Sequence, residues 1–353
     1  MKAAVYYGSG DVRVTSVPHP GQPAAGEVLL EVIRGALCGT DSAEYSYGPV
    51  VIPVHRIHPG SGHSGPVILG HEFLGRVHAV GVGVTELQLG QRVVSGSGVF
   101  CGTCSWCRAG RPNLCARYYT LGLQANGGLA EMVRVPAVIC VPVPEGCPDD
   151  AAAMAQPLSV ALHALDRSRL TADETLVVSG VGGIGGFVVA AAAARGCRRI
   201  IAVDIAAAQL ESAQRLGATD VIDARDGDVA NAILAGTRQE GADVVAEASG
   251  APGALATAVD VTRRGGRTVL VGIPKSPPIV DTADVTLREL ELIGTVAHIC
   301  DQNLPEALQI LTSTPSLGAV VDRVIDLDDV VTHGLEPLRR GQVGGKVLIR
   351  TGA

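Results

Sequence analysis

The stretch Thr175-Leu176-Val177-Val178-Ser179-Gly180-Val181-Gly182-Gly183-Ile184-Gly185 decides the fold. A short apolar strand runs directly into a G-x-G-x-x-G turn, and an apolar helix follows from about Gly186 to Arg195. Ile200-Ile201-Ala202-Val203-Asp204 reads as the next strand, and Asp204 ends it 19 residues after Gly185. A lone glycine-rich turn means little. Strand, turn, helix, strand and terminal acid in this order form the constellation that binds a dinucleotide. Gly180 permits the tight turn, Gly182 lets a pyrophosphate approach the backbone and the helix N-terminus, and Gly185 lets the helix lie close on the sheet. Gly183 and Ile184 complete the phosphate-facing turn. Asp204 can accept both hydrogen bonds of an adenosine ribose diol while repelling a 2′-phosphate. The expected cofactor is therefore NAD rather than NADP, and Ile205 to Leu210 contain no Arg or Lys to favour the phosphate.

The same rhythm continues downstream. A helix is expected from Ala206 to Leu216, strands at Asp220–Ile222 and Asp243–Glu247, a helix from about Ala254 to Arg263, and strands at Arg267–Val271 and Leu290–Ile293. Six strands make a doubly wound parallel sheet with right-handed crossovers, an α/β Rossmann architecture. Upstream the texture differs. Residues 1 to 37 alternate apolar and polar positions between Pro- and Gly-rich breaks, as antiparallel strands do, and an Ala-rich helical stretch from Asp149 to Leu165 marks the change. Beyond Ala297 the pattern is mixed again and ends in Gly345-Lys346-Val347-Leu348-Ile349-Arg350, a strand able to rejoin the first domain. The expected division is residues 1–157 with 298–353 as a mostly antiparallel β domain, and 158–297 as the dinucleotide-binding domain.

With 353 residues, 47% hydrophobic but only 3% aromatic, the interior must be packed from aliphatic side chains, as buried parallel strands are. A net charge of −7 without a Lys/Arg run argues against nucleic acid or an anionic membrane as partner. The N-terminus lacks the apolar segment of a signal peptide, and the longest aliphatic run, Phe187 to Ala194, is too short to span a bilayer, so a soluble cytoplasmic protein is expected.

Two blocks about thirty residues apart carry the candidate chemistry: Cys38-Gly39-Thr40-Asp41 and Gly70-His71-Glu72. A soft thiolate and a neutral imidazole hold Zn²⁺, and a site short of protein ligands keeps a position open for substrate oxygen. Cys101, Cys104, Cys107 and Cys115 follow the spacing C-x2-C-x2-C-x7-C on one lobe, residues 98–117, which matches a closed tetrahedral zinc site of structural type. Cys140, Cys147, Cys197 and Cys300 are isolated and read as small apolar or surface residues. His55, His58 and His63 read as solvated loop histidines.

These motifs, in this order, resemble the zinc-dependent medium-chain alcohol and polyol dehydrogenases, with a GroES-like catalytic domain beside the Rossmann domain. Within that family Glu44-Tyr45, Gly48-Pro49, Ile52-Pro53, the His63 to Phe73 run and Pro157 to Ala164 look most like the (R,R)-2,3-butanediol dehydrogenase branch. The resemblance implies a catalytic zinc held by Cys38 and His71, with Glu72 as adjacent or alternate ligand and Gln156 at a further ligand position. It implies that Asp41 orients His71, that Thr40 takes the alcohol proton, and that Lys346 lies near the cofactor phosphates. A homodimer or homotetramer is a family expectation.

Two positions depart from the pattern. Ala43 stands where a relay histidine is usual, and Gln156 where the polyol branches commonly carry Glu. Some glucose dehydrogenases of the family share both features. A neutral Gln156 leaves the zinc site one unit more positive, about 4 kcal/mol at 4 Å and an effective dielectric of ~20, which would acidify a bound alcohol and lessen the need for a relay. The reading is hydride transfer between NAD and a secondary alcohol or ketone, such as a vicinal diol or hydroxyketone of the 2,3-butanediol/acetoin type. A polyol, sugar or threonine-type dehydrogenase is the alternative among enzymes, and an NAD-binding regulatory module with an impaired active site is the alternative outside them.

Overall fold

The computed structural model describes residues 1–352. The chain divides into two units, Met1–Ser159 with His298–Ala353, and Val160–Ala297. The first begins with β1 (Lys2–Gly8), β2 (Asp11–Ser16) and β3 (Glu27–Ala36). Next come helix α1 (Gly39–Tyr47), β4 (Val67–Ile68), β5 (Glu72–Val80), β6 (Arg92–Ser95), β7 (Gly98–Val99), β8 (Tyr119–Thr120), β9 (Met132–Pro136) and β10 (Cys140–Pro142). Pairing among these strands is antiparallel throughout, as the alternating sequence leads one to expect. Inward-facing aliphatics including Leu37, Leu69 and Leu129 form a core with Tyr6, each 2% exposed or less. Fully burying one such side chain stabilises by about 1.5–3 kcal/mol.

The second unit, entered along helix α2 (Ala155–Ser168), contains β11 (Thr175–Ser179), helix α3 (Gly183–Ala194), β12 (Arg199–Asp204), β13 (Asp220–Asp223), β14 (Ala242–Glu247), β15 (Thr262–Leu270) and β16 (Glu291–Gly294). They form one parallel sheet in the order β13-β12-β11-β14-β15-β16, so the winding reverses beside β11. The carboxyl ends of strands at such a reversal are where open α/β sheets bind their ligands. Leu176, Val177 and Val178 are at most 1% exposed, which explains why β11 reads as a continuous apolar run instead of an alternating one.

The chain then returns to the first unit through helix α4 (Cys300–Ser313), β17 (Val321–Asp326) and β18 (Lys346–Arg350). Strand β18 pairs antiparallel with β3 and parallel with β17, giving the sheet order β10-β6-β5-β3-β18-β17 with β9 also on β3. Central β3 therefore has β5 on one side and β18 on the other. In that register Ala36 faces Glu72 of β5 and Leu348 of β18. Among the described residues no helix is long and apolar enough to cross a membrane.

Candidate active site and metal centres

The register of β3 builds the first site. Two residues beyond Ala36 the chain reaches Cys38, and on β5 the residue before Glu72 is His71, so the end of one strand meets the start of the next. On the other flank, the antiparallel ladder from Leu348 runs back two residues to Lys346. Cys38, His71 and Glu72 each bring a ligand atom within 4.8 Å of the others. Cys38 is the extended N-cap of α1, and Asp41 reaches back so that its Oδ2 accepts the Cys38 N–H at 2.8 Å. The helix start thus fixes the cysteine. Thr40, half-buried, holds its Oγ1 3.8 Å from the Cys38 Sγ.

His71 is aimed by a glycine turn. Gly70 has φ +99°, and a Cβ there would lie 2.6 Å from the Leu129 nitrogen. Its carbonyl accepts from the Gly128 N–H at 2.8 Å, while the Leu129 N–H donates to Leu69 at 2.8 Å. Only glycine combines that dihedral with so close a backbone approach.

The electrostatics favour a cation. Asp41 is fully buried and Glu72 is 1% exposed, and Lys346, 6% exposed, is the ammonium that faces them. Lys346 Nζ donates to both Glu72 oxygens at 2.6 and 2.5 Å and to the Leu37 carbonyl at 3.3 Å. This differs from the expected place of Lys346 beside cofactor phosphates: the ammonium is buried on Glu72. The remaining carboxylate, Asp41, has its Oδ1 3.6 Å from His71 Nδ1, and neither atom has a hydrogen-bond partner. Burial pushes the Asp41 carboxyl up, against His71 and the Cys38 N–H, which pull it down. For His71 burial opposes the proton, but Asp41, Cys38 and Glu72 together outweigh it and raise the imidazole to about 10. Thiol, imidazole and carboxylate converging in an over-acidic, dry site match the donor chemistry of zinc.

Gln156 stands half-buried in the first turn of α2, and Ala43, also half-buried, lies on α1. Glu44 has a structural part. Its buried carboxylate accepts the N–H groups of Val50, Val51 and Ile52 at 2.9, 2.6 and 3.3 Å and pins the following loop. In that loop His55 is exposed, whereas His58 Nδ1 accepts from Gly60 and Ser61 N–H at 3.2 Å each, so His58 shapes the turn.

The cysteine lobe forms a second centre. Sγ atoms of Cys101, Cys104, Cys107 and Cys115 all lie within 4.8 Å of one another, close to the ~3.8 Å edge of a tetrahedron with 2.3 Å bonds. Backbone N–H groups of Cys101 and Arg117 point at the Cys115 sulfur at 3.3 Å, and that of Cys104 at the Cys101 sulfur at 3.4 Å. Amide donors of this kind stabilise thiolates. With four sulfurs the lobe leaves no open position. Cys140, Cys147, Cys197 and Cys300 are buried free thiols.

In the second unit the glycine turn matches its assigned tasks. A Cβ on Gly185 would lie 1.8 Å from the Gly180 carbonyl oxygen, whereas Gly182 and Gly183 face open space at the N-terminus of α3. That space is the cradle a pyrophosphate needs. Asp204 ends β12, its Oδ2 accepting from the Val181 N–H at 2.9 Å and its Oδ1 from Ala206 at 3.0 Å. A carboxylate has about four acceptor sites, which leaves capacity for a ribose diol.

Comparison with known proteins decides the family. Residues 24–145 match the alcohol dehydrogenase GroES-like domain and residues 183–313 the zinc-binding dehydrogenase domain. The (R,R)-butanediol dehydrogenase of Neisseria gonorrhoeae is 33% identical over 341 residues, covering 96% of each chain. The chain belongs to the zinc-binding alcohol dehydrogenases. Another member of this oxidoreductase family, the sorbitol dehydrogenase of Bacillus subtilis, is 32% identical over 315 residues, covering 89% of this zinc-binding dehydrogenase and 86% of the relative. The crystal structure of 2R,3R-butanediol dehydrogenase from Bacillus subtilis superposes with a TM-score of 0.92 at 31% identity over 99% of each chain.

Replacing Asp204 by Ser together with Ile205→Arg in this zinc-binding dehydrogenase should shift cofactor preference toward NADP about a hundredfold, since charged-acceptor hydrogen bonds contribute about 1.5–3 kcal/mol each. Values of kcat/KM with both cofactors measure it. An unchanged ratio would contradict the ribose assignment.

Proposed function

We propose that this dehydrogenase oxidises a secondary alcohol, in particular a vicinal diol, to the corresponding hydroxyketone with NAD, and catalyses the reverse reduction. The observation that supports this best is the convergence of half-buried Cys38 with buried His71 and Glu72 in a chain that also carries the glycine turn and Asp204. Cys38 and His71 would hold the catalytic metal, with Glu72 as an adjacent or alternate ligand and Gln156 at a further oxygen-donor position. Zinc supplies a Lewis acid there, of the strength that takes the pKa of water from about 15.7 to about 7. NAD supplies the hydride acceptor. The chain's own residues then have distinct tasks. Thr40, next to the Cys38 thiol, accepts the proton of the substrate hydroxyl as it gives up its own hydroxyl proton to water, so it relays the proton and does not keep it. Asp41 fixes the imidazole of His71 from behind. Lys346 donates to both oxygens of Glu72 and so keeps that carboxylate ordered beside Cys38 and His71. Gly182 and Gly183 admit the pyrophosphate, and Asp204 takes the ribose.

A polyol or sugar substrate is the second reading, favoured by Ala43 and Gln156 and by the similarity to sorbitol dehydrogenase. NADH formation at 340 nm with 2,3-butanediol stereoisomers, sorbitol, glucose and threonine, and NADH consumption with acetoin, separate the two. The expected result is the highest kcat/KM on a four-carbon vicinal diol. Preference for sorbitol or glucose by tenfold or more would select the second reading, and NAD binding without turnover on any alcohol would refute both.

A further inference from the structure

Between β6 and β7 runs the segment Ser95-Gly96-Ser97-Gly98, and its third residue is backbone-strained. Ser97 has φ +57° and is completely buried. A left-handed conformation is disfavoured for a non-glycine residue, and a glycine would adopt it freely. Such strain persists where the surroundings over-determine it and the side chain is used. The Ser97 hydroxyl is used: it donates to the main-chain carbonyl of His71. Its backbone is anchored at both ends, the N–H donating to Ser95 Oγ at 3.1 Å and the carbonyl accepting from the Leu121 N–H at 2.9 Å. Leu121 directly follows β8, which pairs with β7 at the base of the cysteine lobe.

We propose that Ser97 is a positioning residue for the metal ligand His71. Gly70 sets the direction in which the chain enters His71, and the Ser97 hydroxyl fixes the peptide plane on its exit. Imidazole and Cys38 thiol are thereby held in register before the metal arrives. The strained backbone is retained because only that conformation brings the hydroxyl onto the carbonyl while the main chain stays tied to Ser95 and Leu121. The inference rests on the reading of Cys38 and His71 as zinc ligands.

The test uses the full chain with Ser97→Ala, which keeps the strain and loses the hydroxyl, and Ser97→Gly, which loses both and so folds at least as readily. Zinc per chain is measured by elemental analysis, and release of each zinc to a chromogenic chelator is timed. Cobalt-substituted protein reports the geometry at the metal through its visible ligand-field bands. Residues that orient metal ligands typically contribute tenfold to a hundredfold in metal affinity. The expected result is that both variants keep the lobe zinc, release the second zinc at least about tenfold faster than wild type, and shift the cobalt bands. If folded Ser97→Gly protein releases its second zinc at the wild-type rate with unshifted bands, the positioning role is overturned. A wild type that holds only the lobe zinc would instead overturn the zinc reading beneath it.

Discussion

Gly185→Ala is expected to abolish measurable NAD binding and to destabilise the second unit by at least about 3 kcal/mol. The new Cβ would sit 1.8 Å from the Gly180 carbonyl oxygen and 3.3 Å from the Ala248 Cβ. The first contact is with backbone, so no side-chain rotation relieves it. Either α3 lifts from β11 or the turn at Gly180 opens. Gly180 is itself fixed, with φ +84° and its N–H bonded to the Val203 carbonyl at 2.8 Å. Overpacking a core commonly costs about 1–3 kcal/mol, and a backbone-to-backbone clash belongs at or above the upper end. Gly183→Ala is the control, because a Cβ there meets nothing within 4 Å. It should leave thermal unfolding unchanged and weaken only NAD affinity, as read by titration calorimetry. Equal melting temperatures for Gly185→Ala and wild type would contradict the account of the turn.

Lys346→Met is expected to destabilise the first unit by about 3–5 kcal/mol, the usual consequence of leaving one member of a buried ion pair alone. The Glu72 carboxylate is 1% exposed and would lose the ammonium that now contacts both oxygens. Removing both charges, as Glu72→Gln with Lys346→Met, should recover most of the loss, because well-packed neutral groups often replace a buried pair at little cost. Denaturant unfolding of the two single variants and the double variant gives the coupling directly. A Lys346→Met protein as stable as wild type would mean that the pair is not the structural clamp described here. Burial lowers the pKa of Lys346, but Glu72, then Cys38 and Asp41, outweigh it and raise it, so the ammonium stays charged beside Glu72.

Local motifs were legible in the sequence because their chemistry is contiguous. The glycine turn, the four-cysteine lobe and each of the blocks Cys38 to Asp41 and Gly70 to Glu72 are short contiguous stretches, and β11 and α3 lie close to where their apolar pattern puts them. What needed the fold was register. Lys346 and Glu72 are 274 residues apart, and only the placement of β3 between β5 and β18 joins them. Helix α1 was hidden because Gly39-Thr40-Asp41-Ser42-Ala43-Glu44 carries polar residues on every face; Asp41 capping Cys38 starts it. Ser97 gives no sequence signal at all, since a serine between two glycines reads as an ordinary turn. Helix α4, with Pro305 inside it, also escaped the sequence reading.

In the proposed reaction hydride transfer depends on a metal at Cys38 and His71, separate from the metal of the cysteine lobe. Graded chelation of the purified protein, with zinc per chain and NADH formation from a vicinal diol followed together, tests it most directly. Turnover is expected to fall to zero as the first zinc leaves, while the lobe zinc and the fold persist, and added zinc is expected to restore the rate. Full turnover in protein holding zinc only in the lobe would contradict it.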